Sequence, residues 1–231
     1  MINVERIDQV NIRMPIIDQF SGLRKDIQGI VHNAIEKTKQ YIPLHETTIR
    51  IKNDPDGVIK DHAHGGWTFT PESIVIKVNP NFPDKEKFLH EELPRSISHE
   101  LHHAVREKVL KDEPRSLGRM LIFEGLATYF ETEVWGGEPS KWANALTPEQ
   151  LQDVLKVAIN ELSDDKYDHS RWFFGTKDLA RWTGYTIGVY LIKEYLKLHP
   201  DQTAASLVTT PASTILEGLK GVISPQFDLQ Q

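Results

Sequence analysis

The chain has 231 residues, of which 39% are hydrophobic and 26% charged, a composition typical of a globular protein that can bury its own core. Its net charge of −6 argues against a broad nucleic-acid surface, and the absence of cysteine excludes disulfides, thiolate metal sites and a cysteine nucleophile. No stretch approaches the roughly 18 apolar residues of a membrane span, and the first residues do not have the pattern of a signal peptide. We therefore predict a cytoplasmic protein without nucleic-acid or membrane partners.

One helix and several short strands are predicted for the first part of the chain. Apolar residues recur at helical spacing over about residues 22–41. Residues 47–51 have the composition of a strand. Residues 66–70 and 73–78 are two further strand candidates, and we expect a hairpin because only two residues separate them.

Helical signals dominate from about residue 84 onward. Pro94 suits the first turn of a helix, and the segment from Thr147 to Gln150 has the form of a capping box. The predicted helices cover about residues 94–108, 117–134, 147–162, 183–197 and 212–220. We predict a single α+β domain over residues 1–231, with a helix and small sheet in about 1–83 and a helical subdomain in about 84–231.

The segment His99-Glu100-Leu101-His102-His103 contains the pattern H-E-x-x-H. Residues four apart on a helix project from one face, so His99 and His103 present two imidazoles at the spacing that one tetrahedral zinc ion requires. Glu100 lies beside them, where it could accept a proton from water on the metal. The alternative is a solvated helix face on which histidines happen to cluster.

Two further features favour a metal site. Roughly opposite the two histidines, a separate apolar stripe is formed by Ile97, Leu101, Ala104 and Val105. This helix could therefore bury one face while the histidines face a cleft. Glu124 follows His103 after 20 intervening residues, on a second predicted helix that a short loop could fold back on the first. Glu124 could then supply a third ligand and leave the fourth position to water, as in catalytic zinc sites.

These two segments resemble the gluzincin metallopeptidases, in which H-E-x-x-H is followed by Glu-Gly-x-Ala-x-Tyr-x-Glu, here residues 124–131. Residues 172–175 and 184–188 extend the resemblance to a bacterial family of predicted zinc-dependent proteases, a domain of unknown function. The resemblance covers roughly residues 60–220. Many gluzincins place Asn before the ligand Glu, but this chain has Phe123, so substrate contacts of that Asn are not expected.

The resemblance implies a zincin-like fold with an active-site cleft between the sheet subdomain and the helical half. It also implies one Zn²⁺ per chain, held by His99, His103 and Glu124, with Glu100 as the catalytic general base. In zincins an edge strand pairs with extended substrate, and residues 65–70 are the candidate for that strand, with an ordinary core strand as the alternative.

Several other polar residues have alternative assignments. Glu131 lies on the same helix face as Glu124 and either accepts an imidazole N–H from a ligand histidine or is solvated. His102 is interpreted as a packing or outer-sphere residue. Tyr185 is the candidate donor to the oxyanion, with His169 as its rival and a buried structural tyrosine as the alternative. His62 and His64 are interpreted as exposed loop histidines, although their spacing could chelate a metal.

The favoured function is a zinc metallopeptidase that hydrolyses a peptide or protein substrate. One alternative is a zinc hydrolase of a non-peptide amide. Another is a non-catalytic regulatory or binding protein on a zincin scaffold. Glu100 favours the enzymes, because a scaffold that only holds a partner has no need of that carboxylate.

Overall fold

The computed structural model describes residues 2–7, 9–15, 20, 22–59, 62–84 and 87–223. Within it, the chain forms two compact units, Met1–Lys111 and Asp112–Gln231. The first unit contains strands and helices and the second contains helices, which makes the chain an α+β protein. No helix in the described ranges is both long and apolar enough to cross a bilayer.

The first unit is built on a five-stranded sheet. Its strands lie in the order β1-β2-β3-β5-β4, with β1 and β2 antiparallel, β2, β3 and β5 parallel, and β4 antiparallel to β5. The strands are β1 (Ile2–Ile7), β2 (Val10–Pro15), β3 (Thr47–Asn53), β4 (His64–Thr70) and β5 (Ser73–Val78). The predicted strand at 47–51 and the predicted hairpin are thus confirmed, whereas β1 and β2 were not predicted.

One face of this sheet packs on helices α1 (Arg24–Thr38) and α2 (Leu93–Val109). Alternate strand residues supply the apolar side chains of that face, as expected for a sheet that is buried on one side. The buried apolar strand residues of this face are Val10, Ile12, Met14, Ile49, Ile51, Ile74, Ile76 and Val78, and Val75 is buried on the opposite face. The two helices also contact each other, with the Thr38 and Ser98 hydroxyls 2.8 Å apart.

Helix α2 is confirmed close to its predicted bounds, with Pro94 in its first turn, and a π-helical turn (Phe88–Glu92) precedes it. Every residue from Ser96 to Arg106 is buried, including the charged and polar ones. The predicted apolar stripe is thus buried, and the face that carries both histidines is shielded from solvent as well. Polar groups on all sides of α2 must be held by protein contacts, because burial without them is costly.

The second unit is helical. Its helices are α3 (Leu117–Trp135), α4 (Pro148–Glu161), α5 (Thr183–Leu198), α6 (Ala212–Gly218) and α7 (Lys220–Ile223). The predicted capping box is present, since Thr147 accepts from the Gln150 N–H and the Gln150 side chain accepts from the Thr147 N–H. The predicted helix at 212–220 is instead divided at Leu219 into α6 and α7.

Helices α3 and α5 pack most closely where two glycines meet. A Cβ atom at Gly125 would fall on the backbone of Gly188, and one at Gly188 would fall on the Leu121 carbonyl oxygen. Neither position can hold a side chain unless the helices move apart, so this crossing depends on both glycines.

We expect Gly125→Ala to lower the free energy of unfolding by about 1–3 kcal/mol, because the added methyl group overpacks the crossing. Gly29→Ala is the matched control: Gly29 lies inside α1 with nothing within 4 Å of its Cβ position. It should raise stability by about 0.5–1 kcal/mol through helix propensity. Urea unfolding of both variants tests this, and equal effects of the two substitutions would contradict the close crossing.

Candidate metal centre

His99 and His103 lie one turn apart on α2 and project from the same side of the helix. Their ring centroids are 4.5 Å apart and the ring planes are nearly perpendicular, at 86°. They are only 7% and 4% exposed. Two imidazoles are therefore brought together in a shielded position by helical spacing alone, as the sequence predicted.

Glu100 faces strand β4, where Gly66 and Thr68 make room for its carboxylate and contact it. The Thr68 hydroxyl lies 2.7 Å from Glu100 Oε2 and 3.0 Å from the Glu100 carbonyl oxygen, so it can donate to either. A Cβ atom at Gly66 would lie 2.6 Å from Glu100 Oε1. Thr68 was missed as a site residue, although its i, i+2 relation to Gly66 places both positions on one face of the strand.

Glu124 lies in the middle of α3, and its Oε2 atom is shielded from solvent although the residue is partly exposed. One ligand atom from each of His99, His103 and Glu124 lies within 4.8 Å of the others. Two imidazole nitrogens and one carboxylate oxygen form a donor set that fits zinc and leaves a coordination position open. The three residues that the sequence proposed as ligands are thus brought together.

Tyr185 lies in the first turn of α5 and is partly exposed; its ring is nearly perpendicular to that of Phe173, with the ring centroids 5.2 Å apart. The preceding Trp182 has a φ of 69°, the one positive φ of a non-glycine residue in the described part of the chain. A bulky residue in that conformation is strained, and strain of this kind is often found at functional sites. Arg181 stacks on the Trp182 ring at 4.5 Å, and the Trp182 N–H donates to the Phe173 carbonyl oxygen at 3.1 Å.

His169, the rival of Tyr185, contacts the same phenylalanine. Its ring stacks on Phe173 at 4.6 Å between centroids. Burial lowers the pKa of His169, while the negative charges of Glu124 and Asp168 oppose that shift. Both candidate oxyanion donors are therefore held by Phe173, and His169 is within electrostatic reach of Glu124.

Residues 27–217 match the model of a family described as "Predicted Zn-dependent protease (DUF2268)". The chain belongs to this family. The resemblance inferred from the two sequence segments is thereby confirmed, and the shielded His-His-Glu group is in keeping with a zinc-dependent family.

Two proteins of Bacillus subtilis (strain 168) are similar to the chain. The uncharacterized protein YjaZ is 32% identical over 129 residues, which cover 53% of this chain and 49% of YjaZ. The uncharacterized protein YjfC is 29% identical over 178 residues, which cover 71% of this chain and 57% of YjfC. The chain thus spans about half of the length of YjaZ and less than three fifths of that of YjfC.

Among solved structures, native yeast LTA4 hydrolase is similar, with a TM-score of 0.46 and 14% sequence identity. The superposition covers 96% of this chain and 36% of the yeast chain.

Glu131 and His102 are both fully buried. The Ser140 hydroxyl donates to Glu131 Oε2, so the interpretation of Glu131 as a solvated carboxylate is wrong. Full burial of His102 agrees with its interpretation as a packing or outer-sphere residue. His102 is thus buried on the helix that carries the histidine pair, and Glu131 is buried on the helix that carries Glu124.

His62 and His64 are buried, at 5% and 1% exposure, so the prediction that they are exposed loop histidines is wrong. The reason is that β4 begins at His64, which pairs with Val78 of β5. Both Nδ1 atoms point to Glu92 Oε2, at 3.5 Å from His62 and 3.6 Å from His64. This buried group was missed because its partner, Glu92, lies in the π-helical turn before α2.

Burial lowers the pKa of His64 to about 4; Glu92 opposes the shift, and the imidazoles of His62 and His99 add to it. The unfolded chain, with an ordinary histidine pKa near 6.5, takes up this proton first. The contribution of neutral His64 to the free energy of unfolding is therefore fully present above about pH 6.5 and is lost as the pH falls towards 4.

We expect His64 to lower the free energy of unfolding of the wild-type protein by roughly 3 kcal/mol between pH 7 and 4. His64→Gln should remove that part of the dependence of stability on pH. His90→Gln, at an exposed histidine, is the control and should leave the slope unchanged. Thermal midpoints measured across this range test the prediction. Identical slopes for His64→Gln and wild type would contradict it.

Proposed function

We propose that this chain is a zinc-dependent metallopeptidase of zincin-like fold, with one Zn²⁺ held by His99, His103 and Glu124. The observation that carries the proposal is the approach of three ligand atoms to within 4.8 Å of one another. The family's description as predicted zinc-dependent proteases supports the same reaction class. When bound, zinc would polarise the scissile carbonyl and lower the pKa of a bound water towards about 7.

Glu100 is proposed as the general base and then the general acid. Its carboxylate would take a proton from the attacking water and pass it to the nitrogen of the leaving amine as the peptide bond breaks. Gly66 and Thr68 support this role, because the glycine leaves space for the carboxylate and the hydroxyl bonds to Oε2. Thr68 is thus a positioning residue that orients the base.

Tyr185 is proposed to stabilise the transition state by donating its phenol proton in a hydrogen bond to the developing oxyanion. Its place at the start of α5, against Phe173 and after the strained Trp182, supports a fixed orientation of the ring. A preorganised donor is effective because it need not reorient during the reaction.

The proposed substrate is a peptide or protein in the cytoplasm, without nucleic-acid or membrane partners. A peptide is favoured over a non-peptide amide by the family's description as proteases. The general base favours an enzyme over a purely binding protein, because Glu100 is held by specific contacts without being needed as a ligand.

We expect protein purified without added metal to contain about one equivalent of zinc, and His103→Ala to abolish it, because two remaining ligands bind poorly. Glu124→Ala should weaken zinc affinity by several orders of magnitude. Glu131→Ala on the same helix is the comparison and should weaken it by about 10–100-fold. Metal analysis and competition with a chromogenic chelator measure these values. Full zinc retention in His103→Ala would exclude His103 as a ligand, and equally small effects of both glutamate substitutions would exclude Glu124.

We expect Glu100→Gln to retain zinc and fold but to lose nearly all turnover, because the amide cannot accept the proton. Tyr185→Phe should lower kcat by about 10²–10³ with little change in KM, since its hydrogen bond forms mainly in the transition state. Thr68→Val, which removes only a hydroxyl, should lower kcat and shift the acid limb of the pH–rate profile. The assay is turnover on one cleaved peptide from a broad screen, with zinc content measured in parallel.

Two results would change these assignments. An active Glu100→Gln protein would exclude the metallopeptidase mechanism. Wild-type turnover in Tyr185→Phe would make the phenol structural, and His169→Gln would then be the next variant to measure.

A further inference from the structure

The sheet has a second face, which points away from α1 and α2 and which we call the outer face. Strand residues alternate between the two faces, so the neighbours of the buried apolar residues lie here. Within the described strands, the long basic and aromatic side chains of the outer face are Arg6, Arg13, Arg50, Lys52, Trp67, Phe69 and Lys77. A face of this composition is unexpected in a chain whose net charge is −6.

Like charges lie directly opposite each other on this face. Arg13 of β2 is in register with Arg50 of β3, and Lys52 of β3 is in register with Lys77 of β5. Cross-strand pairs of the same charge destabilise a sheet. Two such pairs side by side therefore oppose folding, and an anionic ligand would relieve the repulsion.

The protein itself relieves this repulsion only in part. Arg50 donates to the Ser73 hydroxyl at 2.7 Å, and Lys77 pairs with Asp54 at 2.7 Å. Arg13 and Lys52 are exposed. No carboxylate of the described strand residues shares the outer face, since Glu5, in register with buried Ile12, is on the helix side.

Two aromatic rings border the basic residues on strand β4. Trp67 is 37% exposed and Phe69 is 68% exposed. The Lys77 ammonium lies 5.3 Å from the Trp67 ring centroid. Because β4 is at the edge of the sheet, these rings and the outward backbone groups of the strand form the border of the outer face.

We propose that the outer face binds an acidic segment of the polypeptide substrate; this deepens the proposed function and rests on it. Arg13, Arg50, Lys52 and Lys77 form two rows, about 5 Å apart between strands and about 7 Å apart along a strand. Alternate side chains of an extended peptide are also about 7 Å apart, so alternating carboxylates match this spacing.

A polypeptide fits this face better than a nucleic acid or a lipid surface. The outward N–H and C=O groups of edge strand β4 can bond to another main chain, which a phosphodiester or a lipid cannot imitate. Strand β4 also carries Gly66 and Thr68, which meet Glu100 on the opposite face. A segment bound at the outer face would thus contact, from the opposite side, the strand that positions the proposed base, and such remote binding can support the reaction.

The test measures binding of a fluorescent poly-glutamate peptide to the full chain by anisotropy, at about 0.05 and 0.3 M NaCl. We expect salt-sensitive binding that Arg13→Gln/Lys52→Gln weakens by at least about fivefold. The matched control is Lys141→Gln/Lys166→Gln, which removes the same charge from exposed positions of the second unit and should change the Kd less than about twofold. Binding should persist in the presence of a chelator, so failure here is distinct from failure of the zinc proposal.

Three outcomes would overturn the proposal. The first is the absence of salt-sensitive binding, and the second is an equal loss in the control variant. The third is tighter binding of an oligothymidylate of matched length, or of phosphatidylserine vesicles, with the same dependence on Arg13 and Lys52. That result would assign the outer face to nucleic acid or membrane instead.

Discussion

The close approach of helix α2 to strand β4 is the contact on which the proposed chemistry depends. It is possible because position 66 has no side chain, so the Glu100 carboxylate occupies the space that a Cβ would fill. Thr68 then binds the same carboxylate from the next inward-facing position of the strand. The sheet therefore acts as more than a support for the helix, because it fixes the orientation of the proposed base.

This packing has an electrostatic cost that the protein must offset. His99, Glu100 and His103 are all less than a tenth exposed, and ionisable groups are rarely buried without partners. A divalent cation among two neutral imidazoles and a carboxylate is the kind of partner that offsets such burial. The same cost of burial lowers the pKa of His64, the first residue of β4, because the charge of Glu92 offsets it only in part.

The sequence was most informative where a function depends on local spacing. The His99 and His103 pair follows from helical geometry, and the capping box at Thr147 from adjacent residues. Strand β2 was missed, although Val10–Pro15 alternates apolar and polar residues, because its pairing with β3 joins segments that are distant in sequence. Strand β1 was missed too, although it pairs with β2, the next strand along the chain. The burial of His62 and the role of Thr68 likewise depend on Glu92 and Glu100, whose proximity only the tertiary structure reveals.

The glycine crossing of α3 and α5 has a consequence for variation within the family. Glu124 adjoins Gly125, and Tyr185 lies one turn before Gly188, so the crossing sets the separation of these two side chains. The segment that connects the two helices along the chain adds to this constraint, because its Phe173 ring packs against the Tyr185 ring. A relative that keeps glycine at both positions is therefore expected to keep the separation of Glu124 and Tyr185, whereas a larger residue at either position is expected to push the two side chains apart.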